Sequence, residues 1–463
     1  MSDVTITPDV AFRRYSRATA TAQAEGRVPA LSVALTRADR PLWTMQIGDA
    51  GGVPLDADTR FRIGSVTKTF TAVLVLQCRD AGLLGLDDPV SAHVPVPGRL
   101  DATIRQLLTH TSGMQREPFG DVWDTLVAPD DRQFLADLAR AERVLAPARR
   151  YHYSNLAFAL LGQVVAAARR CSWADALGER LLRPLGLEAI TVEPTDRAAT
   201  GYLVDEYSDH ARPEPAVDFR ALAPAAQLWG TAADLARWAA FLADPASIDP
   251  AGAVLASATL EEMRWPQTVT DNSLGALQLG LGLMILNRPD RVVQVGHYGA
   301  MPGFLAGAFG QHGGAGTPRA FGCAVLGSAG GAVTILELTH QLLDLAVAAD
   351  PADVPPWRPG EPAPEQFRSV LGRWWSEGFP HDFRWREGRL EARMPSAPAN
   401  QPASVFAQVP GEPDLLRTVS GRELGELLRL TRDASGAVVR MRWATYRYTR
   451  TQETFDGVPV SHP

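Results

Sequence analysis

The spacing of apolar and polar residues divides the chain into a long region that mixes helices with strands and a shorter region of strands alone. Residues 30–38 and 42–47 have the short apolar runs of two strands and predict a hairpin. Thr231 is placed to cap a later helix. The mixture favours an α/β (α+β) domain in which helices cover an antiparallel sheet. The same spacing predicts helices at 134–145, 156–170 and 232–242, and strands at 292–295 and 320–326.

A proline-rich segment, PADVPPWRPGEPAPE, separates the two regions. Proline is excluded from helix interiors and central strands, so this segment predicts a stiff linker. We therefore expect a first domain at residues 1–350, a linker at 351–365 and a second domain at 366–463.

The second domain has the strand spacing of a small up-and-down β-barrel of seven or eight strands. Glu387-Gly388 between two apolar runs predicts one hairpin. Residues 433–436 predict another, between strands at 427–432 and 438–448. The expected second domain is therefore all-β.

The composition argues against several classes of function. The chain has 463 residues and a formal net charge of −7 without a basic stripe, so nucleic acid is not an expected partner. Its nine histidines and three cysteines show no metal-binding spacing, so neither a metal nor another cofactor is expected. Cys78, Cys171 and Cys323 are expected to be reduced core residues.

The N-terminal sequence MSDVTITPDVAFRR lacks the basic region and apolar run of a secretory signal. No stretch approaches the ~20 apolar residues of a membrane span. We therefore expect a cytoplasmic protein that does not engage a membrane.

The main chemical signal is an S-x-x-K motif formed by Ser65 and Lys68. The run from Ser65 to Gly82 is apolar over most of its surface, which predicts a buried helix that begins at Ser65. Residues three apart share a helix face, so Lys68 is expected within hydrogen-bond reach of Ser65. Burial lowers the pKa of a lysine, and a neutral amine can activate a serine nucleophile. The alternative is that Ser65 merely caps the helix and Lys68 is solvated.

Two later motifs complete a recognisable order. Tyr153-Ser154-Asn155 precedes a predicted helix, and His297-Tyr298-Gly299 ends a predicted strand. The order S-x-x-K, Y-x-N, H-x-G resembles the class C β-lactamases, D-alanyl-D-alanine peptidases and family VIII esterases. The segments LLTHTSGM, GLDDPV and GTAADLARW agree with that resemblance, which covers roughly residues 10–350.

The resemblance implies a role for each motif residue. Ser65 would attack an acyl carbon and Lys68 would take its proton. Tyr153, as a phenol or phenolate, would relay a proton to the leaving group. Asn155 would hold Lys68 and a substrate amide. His297 would replace the lysine of most β-lactamases, which puts strong anchoring of a carboxylate in doubt.

The same resemblance implies an oxyanion hole formed by the backbone N–H groups of Ser65 and Ala300. Gly299 is expected to contact the substrate. His110 and Ser112 resemble a Ser–His pair, but we interpret His110 as part of a structural turn. Trp229 lies in a loop before the predicted helix 232–242 and is expected to shape a substrate pocket.

The missing signal, the barrel and the Trp229 loop together resemble the penicillin-binding-protein-type thioesterases of nonribosomal peptide assembly, which carry a lipocalin-like barrel. That resemblance implies a peptidyl thioester substrate, presented on a peptidyl carrier protein and ending in a D-residue. Ser65 would accept the peptidyl group, and the peptide amine would then close a macrolactam. Arg447 of the barrel is a candidate contact to the substrate; a solvated arginine is the alternative.

Two other interpretations remain open from the sequence. The protein would be a plain hydrolase if water resolves the acyl-enzyme: an esterase, a D-aminopeptidase or amidase, or a β-lactamase-like enzyme. It would be a non-catalytic binding protein if the serine is never acylated. The complete set of Ser65, Lys68, Tyr153, Asn155 and His297 argues against the latter.

Overall fold

The computed structural model of the protein describes residues 8–38, 40–270, 277–288, 292–312, 320–332, 334–349, 356–398 and 401–460. Internal contacts divide the chain into two compact units, Met1–Asp353 and Val354–Pro463. The first five residues of the predicted linker, 351–355, lie outside the described residues. The rest of it is irregular until a short helix that begins at Glu365.

The first unit is built on an antiparallel sheet whose eight described strands run in the order β2-β1-β12-β11-β10-β9-β8-β7. Two short pairs, β3 with β6 and β4 with β5, lie apart from it. The strands are β1 Ala30–Arg37, β2 Arg40–Gly48, β3 Phe61–Arg62, β4 Tyr202–Val204, β5 Ala211–Pro213, β6 Trp229–Gly230, β7 Thr268–Val269, β8 Leu277–Leu279, β9 Met284–Asn287, β10 Val293–Met301, β11 Phe304–His312 and β12 Ala320–Gly327.

Helices cover both faces of this sheet. The α-helices are α1 Pro8–Glu25, α2 Thr67–Asp80, α3 Ile104–Leu108, α4 Val122–Thr125, α5 Asp131–Asp137, α6 Asn155–Arg169, α7 Trp173–Leu177, α8 Arg183–Leu185, α9 Ala223–Ala226, α10 Ala232–Ala243, α11 Ser257–Met263 and α12 Thr334–Ala349. Short 3₁₀ turns occur at Gly64–Val66, Val90–Ala92, Gly98–Leu100, Arg220–Leu222 and Pro245–Ser247, and a π turn occurs at Gly178–Leu182.

The alternation of side chains along the central strands produces two separate cores. Val33, Leu35 and Phe309 face helices α1 and α12 in one of them. Ala34 and Ala308 face the other side, where α2, α6 and α10 pack. The predicted antiparallel sheet covered by helices is therefore confirmed.

Small residues let helix α10 lie very close to the sheet. A Cβ atom on Gly310 would fall 1.9 Å from the carbonyl oxygen of Ala239, and one on Gly322 would fall 1.9 Å from that of Ala236. Thr231 caps α10 as predicted, since its hydroxyl accepts a hydrogen bond from the N–H of Asp234 at 3.3 Å. This close approach holds α10 against the strands that support the site.

The second unit is a barrel of antiparallel strands joined in sequence order, preceded by α13 Glu365–Arg368. Trp375 and Thr449 exchange two backbone hydrogen bonds, which bring the last part of the sheet back to the first strand. The predicted all-β barrel is therefore confirmed. Its eight described strands are β13 Gly372–Ser376, β14 Phe379–Arg386, β15 Arg389–Arg393, β16 Ser404–Gln408, β17 Leu415–Ser420, β18 Leu427–Arg432, β19 Val438–Trp443 and β20 Tyr446–Tyr448.

Several predicted elements differ in extent from those of the structure; the strand predicted at 292–295, for example, is the longer β10. The predicted helix 134–145 is the shorter α5, because Asp130 caps it early and Arg99 hydrogen-bonds the carbonyls of Ala139 and Ala141 beyond its end. The predicted strand 438–448 is two strands, because Ala444 has a φ of +54° and turns the chain between β19 and β20.

The cysteines are free, as expected; Cys78 and Cys323 are buried, whereas Cys171 is partly exposed. Among the described residues, no helix combines the length and apolar character needed to cross a membrane.

We predict that Gly322→Ala destabilises the first unit by about 1–3 kcal/mol, because the new methyl group would clash with the backbone of α10. Urea unfolding at neutral pH measures the loss. Gly178→Ala is the control, since no heavy atom lies within 4 Å of the added Cβ. Equal stability of the two variants would contradict the close packing of α10.

Candidate active site

Ser65 lies in a tight 3₁₀ turn, Gly64–Val66, that leads directly into helix α2. The predicted helix therefore begins two residues later than expected. Gly64 has a φ of +51°, and a Cβ on it would fall 2.7 Å from the backbone nitrogen of Ala300. A Cβ on Gly299 would fall 1.9 Å from the carbonyl oxygen of Ile63. Glycine at both positions lets the Ser65 turn lie directly against strand β10.

Lys68 is completely buried on helix α2, and its Nζ contacts three oxygen atoms. It lies 3.0 Å from Ser65 Oγ, as the motif spacing predicted. The other two contacts are Asn155 Oδ1 at 2.7 Å and the carbonyl oxygen of Ala225 at 2.8 Å. The alternative of a solvated Lys68 is therefore wrong.

Burial lowers the pKa of Lys68 well below its usual range; Glu117 opposes this shift and Arg116 adds to it. A neutral amine has two N–H donors and one lone pair. The oxygens of Asn155 and Ala225 can only accept, so they take the two N–H groups. The lone pair is then directed at the Ser65 hydroxyl, which is the arrangement of a general base.

Lys68 is also the only lysine in the chain; every other member of the 45 Lys and Arg residues is arginine. Arginine cannot lose its proton in a protein, so it cannot act as a base. The presence of a single lysine is therefore a second signal for the role of Lys68, in addition to the motif spacing.

Tyr153 lies between the lysine and a buried histidine. Its ring centroid is 4.8 Å from Lys68 Nζ, and the ring stacks on His110 at 4.4 Å. Burial raises the pKa of Tyr153 above its usual range, although a hydrogen bond with the Ser65 side chain opposes the shift. Of the two predicted forms, the structure therefore favours the neutral phenol in the resting site.

His110 supports the position of the Tyr153 ring. It is buried, and burial lowers its pKa well below the usual range. Its Nδ1 accepts a hydrogen bond from the N–H of Ser154 at 3.1 Å. The positive φ of +54° places His110 in a turn, so its interpretation as a structural residue agrees with the structure.

Asn155 begins helix α6 and links Lys68 to a carboxylate that the sequence reasoning missed. Its Nδ2 donates to Glu117 Oε1 at 2.7 Å, while its Oδ1 faces Lys68. Burial raises the pKa of Glu117. Arg116 lies beside it, with Nε 3.6 Å from Glu117 Oε1 and Cζ 4.9 Å from the Tyr153 ring centroid. A charged pair one residue after the LLTHTSGM segment was the available signal for both residues.

His297 is 2% exposed on strand β10, and its ring centroid is 6.3 Å from that of Tyr153. Burial and the nearby Lys68 lower the pKa of His297 to about 3. The side chain is therefore neutral near pH 7 and provides no positive charge for a carboxylate. This agrees with the doubt raised by the H-x-G motif.

A series of hydrogen-bonded neutral side chains connects strand β10 to helix α12 and strand β11. Tyr298 hydrogen-bonds Nε2 of His340 on α12, and His340 Nδ1 lies 2.5 Å from Gln294 Oε1. Gln294 Nε2 donates to Gln311 Oε1 at 2.8 Å, so its oxygen accepts from His340. These hydrogen bonds hold in place the strand that carries His297.

The backbone nitrogens of Ser65 and Ala300 lie in the same small region, where the Ser65 turn meets β10. A Cβ on Gly299 would be 3.2 Å from the nitrogen of Ser65, and one on Gly64 would be 2.7 Å from that of Ala300. An oxyanion hole requires its two N–H donors to lie close together, as these nitrogens do. That they bind the oxyanion stays a prediction.

These groups open into a cleft of about 760 Å³. Its size suits a ligand larger than a single amino acid. Gly299 lines it, as expected for a residue that contacts substrate. The lining residues are Ser65, Arg116, Glu117, Trp123, Tyr151, His152, Tyr153, Asn155, Met284, His297, Tyr298, Gly299, Ala300, Met301, Pro302, Leu305 and Leu336.

Trp229 does not line this cleft, which corrects its predicted role. It is 3% exposed on β6, where its ring packs edge-on against Phe304 at 5.5 Å. The guanidinium of Arg62 lies 5.8 Å from the Trp229 ring centroid. Pairing of β6 with β3 turns the ring into the core, so Trp229 stabilises the fold beside the site.

Arg447 belongs to strand β20 of the barrel. It donates to the carbonyl oxygen of Thr454 at 3.0 Å and lies 3.5 Å from Glu453. These contacts give it a role in holding the segment after the barrel. A contact between Arg447 and substrate stays a prediction. Within the described ranges, no group of three His, Cys, Asp or Glu residues is arranged to hold a metal ion.

Comparison with known proteins decides the family. Residues 16–338 match the family model described as Beta-lactamase. The chain belongs to the beta-lactamase family. Residues 363–450 match a second model, described as a domain of unknown function (DUF7586). The beta-lactamase match spans the Ser65, Tyr153 and His297 motifs, so the site lies wholly inside the family region.

Among curated beta-lactamase relatives, Penicillin-binding protein 4 of Amycolatopsis lactamdurans is 34% identical over 227 residues, which are 46% of this chain and 58% of that protein. The chain spans about half the length of the curated relatives it matches. Its fold resembles the crystal structure of SurE, with a TM-score of 0.60 and 25% identity over 96% of this chain and 98% of SurE. A D-stereospecific amidohydrolase from Streptomyces sp. has a TM-score of 0.57 and 26% identity over 71% and 98% of the two chains.

We predict that Lys68→Ala reduces acylation of Ser65 by about 10²–10⁴-fold, the usual contribution of a general base. A fluorescent fluorophosphonate measures the labelling rate, with Ser65→Ala as the unlabelled control. Labelling of Lys68→Ala at the wild-type rate would mean that Tyr153 is the base.

Stability should fall in mild acid because His297 is buried without charge. Its pKa is about 3 when folded and 6.5 when unfolded, so only the unfolded chain takes the proton between these values. The stabilisation is complete above pH 6.5 and is lost as the pH falls. We expect about 2 kcal/mol less stability at pH 5 from His297 alone. Urea unfolding at pH 7.5 and 5 should show a smaller loss in His297→Gln; an equal loss would contradict the assignment.

Proposed function

We propose that the protein is a serine acyltransferase that takes a nonribosomal peptidyl thioester, presented on a peptidyl carrier protein, and releases it as a head-to-tail macrolactam. The observation that carries the acyl-enzyme chemistry is the 3.0 Å contact between Ser65 Oγ and the buried Nζ of Lys68. A serine needs such a base to attack a thioester carbonyl near neutral pH.

In the first step, Ser65 Oγ bonds to the acyl carbon and its proton moves to Lys68. The carbon–sulfur bond then breaks, and the thiol leaves with a proton returned from Lys68 through Tyr153. In the second step, the peptide's own amine attacks the ester and loses a proton to the same groups. The carbon–oxygen bond breaks, and Ser65 regains its proton.

The charge of the cleft supports an acyl donor without a free carboxylate. The C-terminal carboxyl group of a peptidyl thioester is esterified to sulfur and carries no charge. His297 is neutral near pH 7, and Arg116 lies 3.6 Å from Glu117, which offsets its charge. A substrate with a free carboxylate next to the reacting carbonyl would find less compensation here.

Cyclisation also requires that the amine reach the ester before water does. A peptide folded in the cleft of about 760 Å³ would hold the amine close to Ser65. Well-oriented intramolecular reactions reach effective molarities of about 10⁵ M or more, which is far above the concentration of water. The likeness to SurE supports the comparison, since it covers 96% of this chain and so extends into both units.

A D-stereospecific hydrolase is the second candidate. It is favoured by the 26% identity to the D-stereospecific amidohydrolase from Streptomyces sp., which extends over 71% of this chain. The same acyl-enzyme would form, and water would replace the amine. We propose a D-residue at the acyl end for both candidates.

The deciding experiment follows linear peptidyl pantetheine thioesters that end in D- or L-residues by mass spectrometry. Cyclisation yields a product 18 Da lighter than the linear acid, and we expect it from D-ending substrates. Ser65→Ala is the control. Linear acid alone across the panel would replace the cyclase with the hydrolase, and no Ser65-dependent product would overturn both.

A further inference from the structure

Glu117 places a carboxylate directly behind the amide that contacts the catalytic lysine. Its Oε1 accepts from Asn155 Nδ2 at 2.7 Å, and its side chain is 25% exposed at the cleft. The residue thus forms the third member of a line that runs from Lys68 through Asn155 to Glu117. The proposed steps at Ser65 do not use it.

The amide of Asn155 has two orientations of nearly the same shape but opposite polarity. With Oδ1 toward Lys68, a neutral lysine donates its N–H groups to Asn155 and Ala225, and its lone pair is left to accept from Ser65. In the reverse orientation, an N–H of Asn155 would donate to that lone pair in competition with Ser65. An ionised carboxylate can only accept, so Glu117 permits the first orientation alone.

We propose that Glu117 is a positioning residue that fixes the orientation of the Asn155 amide and so directs the lone pair of Lys68 at Ser65. The inference rests on the proposed acyl-enzyme chemistry of Ser65. In this role Glu117 does not touch the reacting atoms. It controls which hydrogen bond the base, Lys68, makes.

The charges around Lys68 allow the effect of Glu117 on orientation to be separated from its effect on the Lys68 pKa. Arg116, Tyr153, His110 and His297 face the same region, and Glu117 is the acidic member that raises the pKa of Lys68. Removal of its charge should therefore make Lys68 neutral at a lower pH. If charge alone mattered, acylation would become easier; if orientation matters, acylation slows although more of the lysine is neutral.

The experiment compares wild type with Glu117→Gln, whose amide can donate as well as accept. Acylation by p-nitrophenyl acetate is followed against pH, and lysine labelled with ¹³C at Cε reports the pKa directly, since the chain has one lysine. We expect the acylation plateau to fall about 10- to 100-fold, the effect of losing a hydrogen bond to a charged group. The pKa of Lys68 should fall in the same variant.

A polarity swap provides the second arm. Glu117→Gln combined with Asn155→Asp keeps the net charge, lets residue 117 donate and gives Lys68 an acceptor in either orientation. At the high-pH plateau, where Lys68 is neutral in every variant, the double variant should acylate faster than either single variant, and its Lys68 pKa should lie above that of wild type. If Glu117→Gln alone is too unstable to assay, the plateau rates of the double variant and of Asn155→Asp decide the matter.

Asp124→Asn on helix α4 is the charge-matched control and should leave both readouts unchanged. A plateau that stays at the wild-type level in Glu117→Gln, or that falls without a change in the Lys68 pKa, would overturn the positioning role. So would a double variant no faster than the single ones. Wild type that is never acylated at Ser65 would instead refute the proposed function.

Discussion

The arrangement of the site depends on the burial of a single amino group. Lys68 is enclosed by helices α2, α6 and α9, and the cost of charging it there lowers the pKa of the amine well below its usual range. Two carbonyl-type oxygens then determine where its lone pair points. The remaining features, including the Tyr153 stack and the Glu117 contact, support this geometry. His297 adds no positive charge to this region, since its pKa is lowered to about 3, mainly by burial.

Much of this could be predicted from the sequence because the relevant signals are local. The Ser65–Lys68 contact follows from residues three apart on a helix, and the hairpin of β1 and β2 follows from short apolar runs. The barrel could be predicted from turn residues at regular intervals. The order of the three motifs identified the family before any geometry was known, and the family match over residues 16–338 confirms it.

The errors concern residues whose environment is set by distant parts of the chain. Trp229 was placed in a pocket because its loop precedes a motif, yet pairing with β3 buries its ring. The helix expected at 134–145 ends early because Arg99, about forty residues earlier, binds the backbone there. Glu117 was missed because its partner, Asn155, is 38 residues away. No local spacing carries such information.

The contact of the Ser65 turn with β10 has an evolutionary consequence. Gly64 and Gly299 leave no room for any side chain, so this wall of the cleft cannot change shape by substitution. A new substrate preference has to arise elsewhere in the cleft, where Trp123 and Leu336 line the same space with larger side chains. The site therefore combines a contact that only glycine permits with lining residues whose size can change to suit a different substrate.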